Sequence, residues 1–180
     1  MRLFAPAAAA LLLLVSPALA PAQTADEPGA VARWPMPGRD WVSETPDTGE
    51  PGVEAVFVHR RGDEALGAIR ITRNGDRAPV EDLRAFARGR LATLVETPPA
   101  FVLMRATVAR VAGRAAYAFE YRSPDGRRRY QDVFATGPGG RVVVFTLEAP
   151  ANVYEQERPA FDHFLRACGG SVQALDGGTR

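Results

Sequence analysis

Few side chains in this chain are equipped for acid–base, nucleophilic or metal chemistry. Its histidines are His59 and His163, and its one cysteine is Cys168. A cysteine–histidine nucleophile would have to join Cys168 to one of them. On a helix, five residues turn the chain by about 140°, so His163 and Cys168 do not share a face. Cys168 falls instead on an apolar stripe, as a small buried hydrophobe, and His163 reads as a solvated helix residue. Ser43, Ser123 and Ser171 lie in loops or the tail, outside any Gly-x-Ser-x-Gly elbow. No Walker loop or strand-coupled Gly-x-Gly-x-x-Gly occurs. Gly137-Pro138-Gly139-Gly140 reads as a hairpin turn, because no helix N-terminus follows it. Every basic residue besides the histidines is an arginine, which excludes a Schiff-base lysine or a lysine general base. The acids Asp47, Glu50 and Glu54 stand close in sequence, but their spacing fits no known calcium loop. Solvated loop charge is the simpler reading. No catalytic set, metal site or cofactor is therefore expected.

Binding chemistry is better represented. Arg127-Arg128-Arg129 follows the turn residues Asp125-Gly126. Arginines at a hairpin tip can grip a phosphate, a carboxylate or an acidic partner by bidentate bonds. The same residues can simply be edge charges that block strand-to-strand aggregation. On a strand, Arg127 and Arg129 would share a face. Tyr117, Phe119 and Tyr121 also alternate onto one strand face. Between sheet and helix they would line a small apolar pocket, or they fill core.

The elements that must carry these residues centre on Phe101 to Pro150. Four runs rich in Val, Phe, Tyr and Ala are separated by Ala112-Gly113, Pro124-Asp125-Gly126 and Gly137-Pro138-Gly139-Gly140. Glycine and Asp tolerate the positive φ of hairpin turns and proline pre-sets φ, so the stretch predicts an antiparallel meander. The last run is apolar on both faces, the mark of a central strand covered on both sides. Upstream, Asp40–Glu44, Val53–Arg60 and Ala65–Arg73 read as strands. Pro79 to Glu96 reads as a helix, with Pro79 in its first turn and Val80, Leu83, Phe86, Ala87, Leu91, Leu94 and Val95 on one stripe. After Pro150, a first turn over Asn152–Gln156 precedes a helix that Pro159 starts and Gly169-Gly170 ends. Phe161, Phe164, Leu165 and Cys168 form its stripe. The order β-β-β-α-β-β-β-β-α predicts an α+β domain: a central antiparallel sheet of about six or seven strands with helices on its faces.

Residues 1–22 have the layout of a signal peptide: Arg2, an apolar run to Val15, then small residues, with cleavage expected before Gln23. The run is shorter than the roughly 20 residues of a membrane span, and no later run replaces it. Residues 23–38 read as a flexible lead-in, 39–169 as one domain and 170–180 as a frayed tail. The 22 basic residues nearly balance 21 acids, which argues against nucleic-acid binding. A single thiol cannot staple its own chain, so packing must hold the fold together. A soluble monomer, periplasmic or secreted, is expected, without a membrane anchor once the signal is removed.

Several details fit one family. Trp41 opens a three-strand unit. Val80-Glu81-Asp82-Leu83 leads into a helix. Val111-Ala112-Gly113-Arg114-Ala115 crosses a turn, and a Val-rich strand ends in Glu148-Ala149-Pro150. Tyr154 and a Phe161-x-x-Phe164-Leu165 helix follow. From Trp41 to Cys168 the chain resembles the PsbP-like fold, in particular its small secreted bacterial members of the DcrB-like family. The resemblance implies an antiparallel sheet with helices on its faces and an accessory or binding role rather than an enzymatic one. It lies in core positions and carries over no binding surface. The chain lacks the lipid-attachment cysteine of many bacterial relatives. The expectation is a non-catalytic envelope protein that serves an unknown envelope partner. The alternative is a carrier of a small amphipathic ligand near Tyr117, Phe119 and Tyr121.

Overall fold

The structure is a computed structural model that describes residues 34–46, 52–73 and 79–168. The expected signal peptide, most of the lead-in, Asp47, Glu50, Gly169-Gly170 and the tail lie outside the described residues. Seven strands form one antiparallel sheet: β1 (Trp41–Glu44), β2 (Val53–Arg61), β3 (Glu64–Arg73), β4 (Val102–Val111), β5 (Arg114–Arg122), β6 (Arg128–Thr136) and β7 (Val142–Pro150). Helix α1 (Leu83–Glu96) follows β3, and α2 (Tyr154–Ala167) follows β7. The strand order is β1-β2-β3-β7-β6-β5-β4. The α+β order and the helices on the sheet faces are as the sequence and the PsbP-like resemblance imply.

Short turns set the local pairing. Ala112 and Gly113 join β4 to β5 with φ of 53° and 77°. Two consecutive positive φ angles match the twist of the flanking strands. As its two apolar faces predict, β7 sits at the centre, between β3 and β6. Its Val143, Phe145 and Leu147 face α2 and join the main core with Phe57, Ile69, Ile71, Val133, Phe161 and Phe164. Each such side chain contributes roughly 1.5–3 kcal/mol by leaving water. A smaller core on the other face joins Phe119, Tyr121, Phe134 and Val142 to Leu83, Phe86, Ala87, Leu91 and Leu94 of α1.

Three local expectations are corrected. Helix α1 begins at Leu83, not at Pro79. The Asp82 side chain accepts from the Ala85 N–H at 3.0 Å and caps the helix. Ahead of it, the Val80 N–H bonds the Gly140 carbonyl at 2.9 Å, so the chain is tied to the β6–β7 turn before it coils. Pro159 does not start α2 but lies inside it. Glu155 and Glu157 occupy the first turn, where the helix dipole favours them. Trp34, expected in the flexible lead-in, is 6% exposed and meets Phe145 edge-on at 5.8 Å. The folded domain therefore starts ahead of residue 39.

The two helices are offset. On one face α1 lies over β5 and β6; on the other α2 lies over β3 and β7 and reaches β4. This offset leaves grooves beside α1 and exposes the edge strand β4. Among the described residues no helix is long and apolar enough to cross a membrane.

Candidate functional site

The arginine triplet does not converge. Arg127 lies in the turn before β6, with its backbone N–H on Asp125 Oδ1 at 3.0 Å and its side chain 86% exposed. It therefore does not share a strand face with Arg129, as the alternation suggested. Arg128 and Arg129 are consecutive on β6 and point to opposite faces. Arg128 pairs with Glu148 on the α1 face. Arg129 pairs with Glu120, donates to Glu155 Oε1 at 2.7 Å and stacks 4.1 Å from the Tyr154 ring centre. It holds α2 to the sheet.

Tyr117, Phe119 and Tyr121 do share the α1 face, but α1 divides them between two grooves. Tyr117 and Phe119 floor the first, about 280 Å³, with Ala106 and Val108; Arg84 and Arg88 of α1 rim it. On the opposite sheet face a groove of about 160 Å³ is lined by Arg105, Thr107, Val108, Glu120 and Arg158. Both grooves therefore flank β4. This strand carries Arg105 and Arg110 and no acid. As the last strand of the sheet it is paired, among the described residues, on one side only, and Val102, Leu103, Met104 and Val108 are exposed, Val108 by 72%. An open edge with exposed apolar residues is a template for another strand.

The groove on the other side of α1, about 290 Å³, contains Tyr121. Its floor is Asp132 of β6. The Tyr121 hydroxyl donates to Asp132 Oδ2 at 3.0 Å, and the Thr146 hydroxyl donates to Oδ1 at 2.7 Å. Tyr121 stacks on Tyr130 at 5.1 Å, and Phe101 meets both rings edge-on. Arg70, Arg90 and Glu148 face the same space. Burial raises the Asp132 pKa, against the two hydroxyl bonds and the field of Arg90. Burial likewise moves the Tyr121 phenol upward, assisted by the Asp132 charge. The folded protein thus holds the Asp132 proton to higher pH than the unfolded chain does. The sign follows: on this group's account stability is lost as pH rises through the folded pKa. Asp132→Asn is expected to flatten that part of the curve. Urea unfolding followed upward from about pH 4, the ordinary aspartate range, should show a wild-type loss that the variant lacks. Parallel curves would refute it.

The remaining sequence candidates have structural settings. Cys168 is buried, and burial pushes its thiol up to about 12, far from a nucleophile's range. His163 is exposed on α2. His59 stacks on Trp41 at 5.6 Å and donates from Nδ1 to the buried Glu157 Oε2 at 2.8 Å. Gly67 leaves room for that carboxylate, since a Cβ there would stand 3.1 Å from Glu157 Cγ. Glu54 accepts from Arg73 Nη2 at 3.0 Å. Among the described residues no three acid, histidine or cysteine side chains converge.

Neither a family model nor a curated protein matches the chain. Solved structures do. LpqN, involved in cell envelope biogenesis of Mycobacterium tuberculosis, aligns with a TM-score of 0.51 at 17% identity, over 72% of this chain and 77% of LpqN. Cyanobacterial PsbP (CyanoP) from Synechocystis aligns with a TM-score of 0.49 at 19% identity, over 69% of this chain and 78% of its own. The protein of unknown function PA94 from Pseudomonas aeruginosa gives 0.44 at 16%, over 79% and 84%. At such identities the likeness establishes fold and no activity. It does not single out the DcrB-like branch.

Proposed function

We propose that this is a non-catalytic, extracytoplasmic accessory protein that docks an extended acidic segment of another envelope protein along β4. One observation carries the reading: the open edge of β4 has arginine-lined grooves on both sheet faces. An added strand would bond the free backbone groups of β4. Its alternate side chains would point to opposite faces, toward Arg84 and Arg88 on one and Arg105 and Arg158 on the other. The leader-like residues 1–22 and the fold shared with LpqN support an envelope setting.

A capped peptide of about ten residues alternating valine with glutamate, the length of a typical strand, is the probe. Titrated into labelled protein, it should shift the amides of β4. A valine–lysine peptide should not, and Arg84→Glu with Arg88→Glu should invert the preference. Equal effects of the two peptides, or shifts confined to other strands, would reject the reading.

The groove of Arg84, Arg88, Tyr117 and Phe119 favours a second reading, a carrier for an amphipathic anion with its head on the arginines. A native mass spectrum of protein from its own envelope separates the two. Bound mass of a few hundred daltons, lost with Arg84→Glu and Arg88→Glu, means a carrier. A bare chain leaves the partner reading.

A further inference from the structure

The groove floored by Asp132 lies on the far side of α1 from β4, so its use does not depend on a docked strand. Its lining combines features that a solvated sheet face does not need. A carboxylate sits at the bottom, held by two hydroxyl donors from neighbouring strands. Arg90 of α1 is the cation whose field reaches it, and among the described residues Asp132 forms no salt bridge. Glu148, the second acid, already has Arg128. Aromatic rings line one wall, and Leu94, Phe134, Ala68 and Val144 supply apolar surface. A buried carboxylate without a close cation is costly, and a hydrogen-bonded ammonium would offset that cost. Arg70 and Arg90 disfavour a ligand that is only cationic. A carboxylate beside the ammonium removes this conflict.

We infer that this groove is a binding site for a small zwitterion, an α-amino acid with an apolar side chain, its ammonium on Asp132 and its carboxylate on Arg90. The volume of about 290 Å³ stands at the small end of ligand pockets and suits a ligand of this size. The apolar side chain would lie against Leu94 and Phe134. Tyr121 and Thr146 position the carboxylate of Asp132.

Three probes separate the charges: L-phenylalanine, phenethylamine with the ammonium alone, and 3-phenylpropanoate with the carboxylate alone. Calorimetric titration should show phenylalanine binding at least about tenfold tighter than either fragment, because each charge-assisted hydrogen bond contributes a factor of roughly ten or more. Asp132→Asn keeps the shape of the floor and Arg90→Gln alters only an exposed helix position. Each should weaken phenylalanine binding by about tenfold or more. Arg90→Gln should leave phenethylamine no weaker than before, which a merely structural loss would not do. Three results would overturn the assignment: no binding of phenylalanine, binding of either fragment as tight as phenylalanine, or unchanged affinity in Asp132→Asn.

Discussion

Replacing Phe145 with alanine is expected to cost about 3–5 kcal/mol, a large part of the stability of a single domain. Phe145 is fully buried on β7, the central strand. It meets Trp34 at 5.8 Å and Phe164 at 6.1 Å, so one ring joins the segment before β1, the sheet and α2. Its neighbours Ile71 and Val133 belong to the paired strands β3 and β6 and cannot close in without disturbing both ladders. The cavity should therefore persist, which places the cost in the upper part of the range for core truncations. Urea unfolding followed by circular dichroism measures it. A loss below about 1 kcal/mol would show that the centre of the sheet is not packed as described.

The second large effect concerns Arg129. Arg129→Met should cost about 3 kcal/mol, because it leaves Glu120 buried without its cation and removes the guanidinium from the Tyr154 ring. Glu155 contributes little to this figure, since it is 62% exposed. Arg127→Ala, two residues away on an exposed turn, should stay within about 0.5 kcal/mol. A double variant, Arg129→Met with Glu120→Gln, should recover part of the loss, since the stranded charge is gone. Equal effects at Arg127 and Arg129 would mean that the arginines act together as surface charge.

The strands were legible because their side chains alternate and their turns carry glycine or proline at positions with a physical need for them. The double-faced apolar run of β7 gave away its central place. The start of α1 was misplaced because Pro79 suits a first helical turn; the bond from the Ala85 N–H to Asp82, which starts the helix at Leu83, forms only in the fold. Trp34 was hidden by the Pro-, Ala- and Gly-rich residues around it. The roles of Arg129 were illegible for a different reason. Glu120 and Glu155 come from β5 and α2, and no spacing in the chain links them. Asp132 left one usable trace: it stands between Tyr130 and Phe134 on the same face of a strand, an acid in an inward-facing phase. Its partners Tyr121, Thr146 and Arg90 come together only in the fold. The open edge of β4 likewise depends on strand order, which alternation does not specify.

The place of β7 beside β3 also divides the molecule in time. The strands β1 to β3 and β4 to β7 each pair in sequence order through short connections, so each set can assemble locally. The seam between them, where Arg73 meets Val143 and Ala68 meets Glu148, joins residues far apart in the chain. Closing it brings together residues on either side of α1 and the strands β4 to β6, and loop-closure entropy makes such long-range pairing slow. Until it closes, β3 and β7 each present a free edge, with Ile69 and Ile71 on one and Phe145 and Leu147 on the other, all buried core residues in the folded protein. The vulnerable moment in the life of this chain is therefore the interval before β3 and β7 meet.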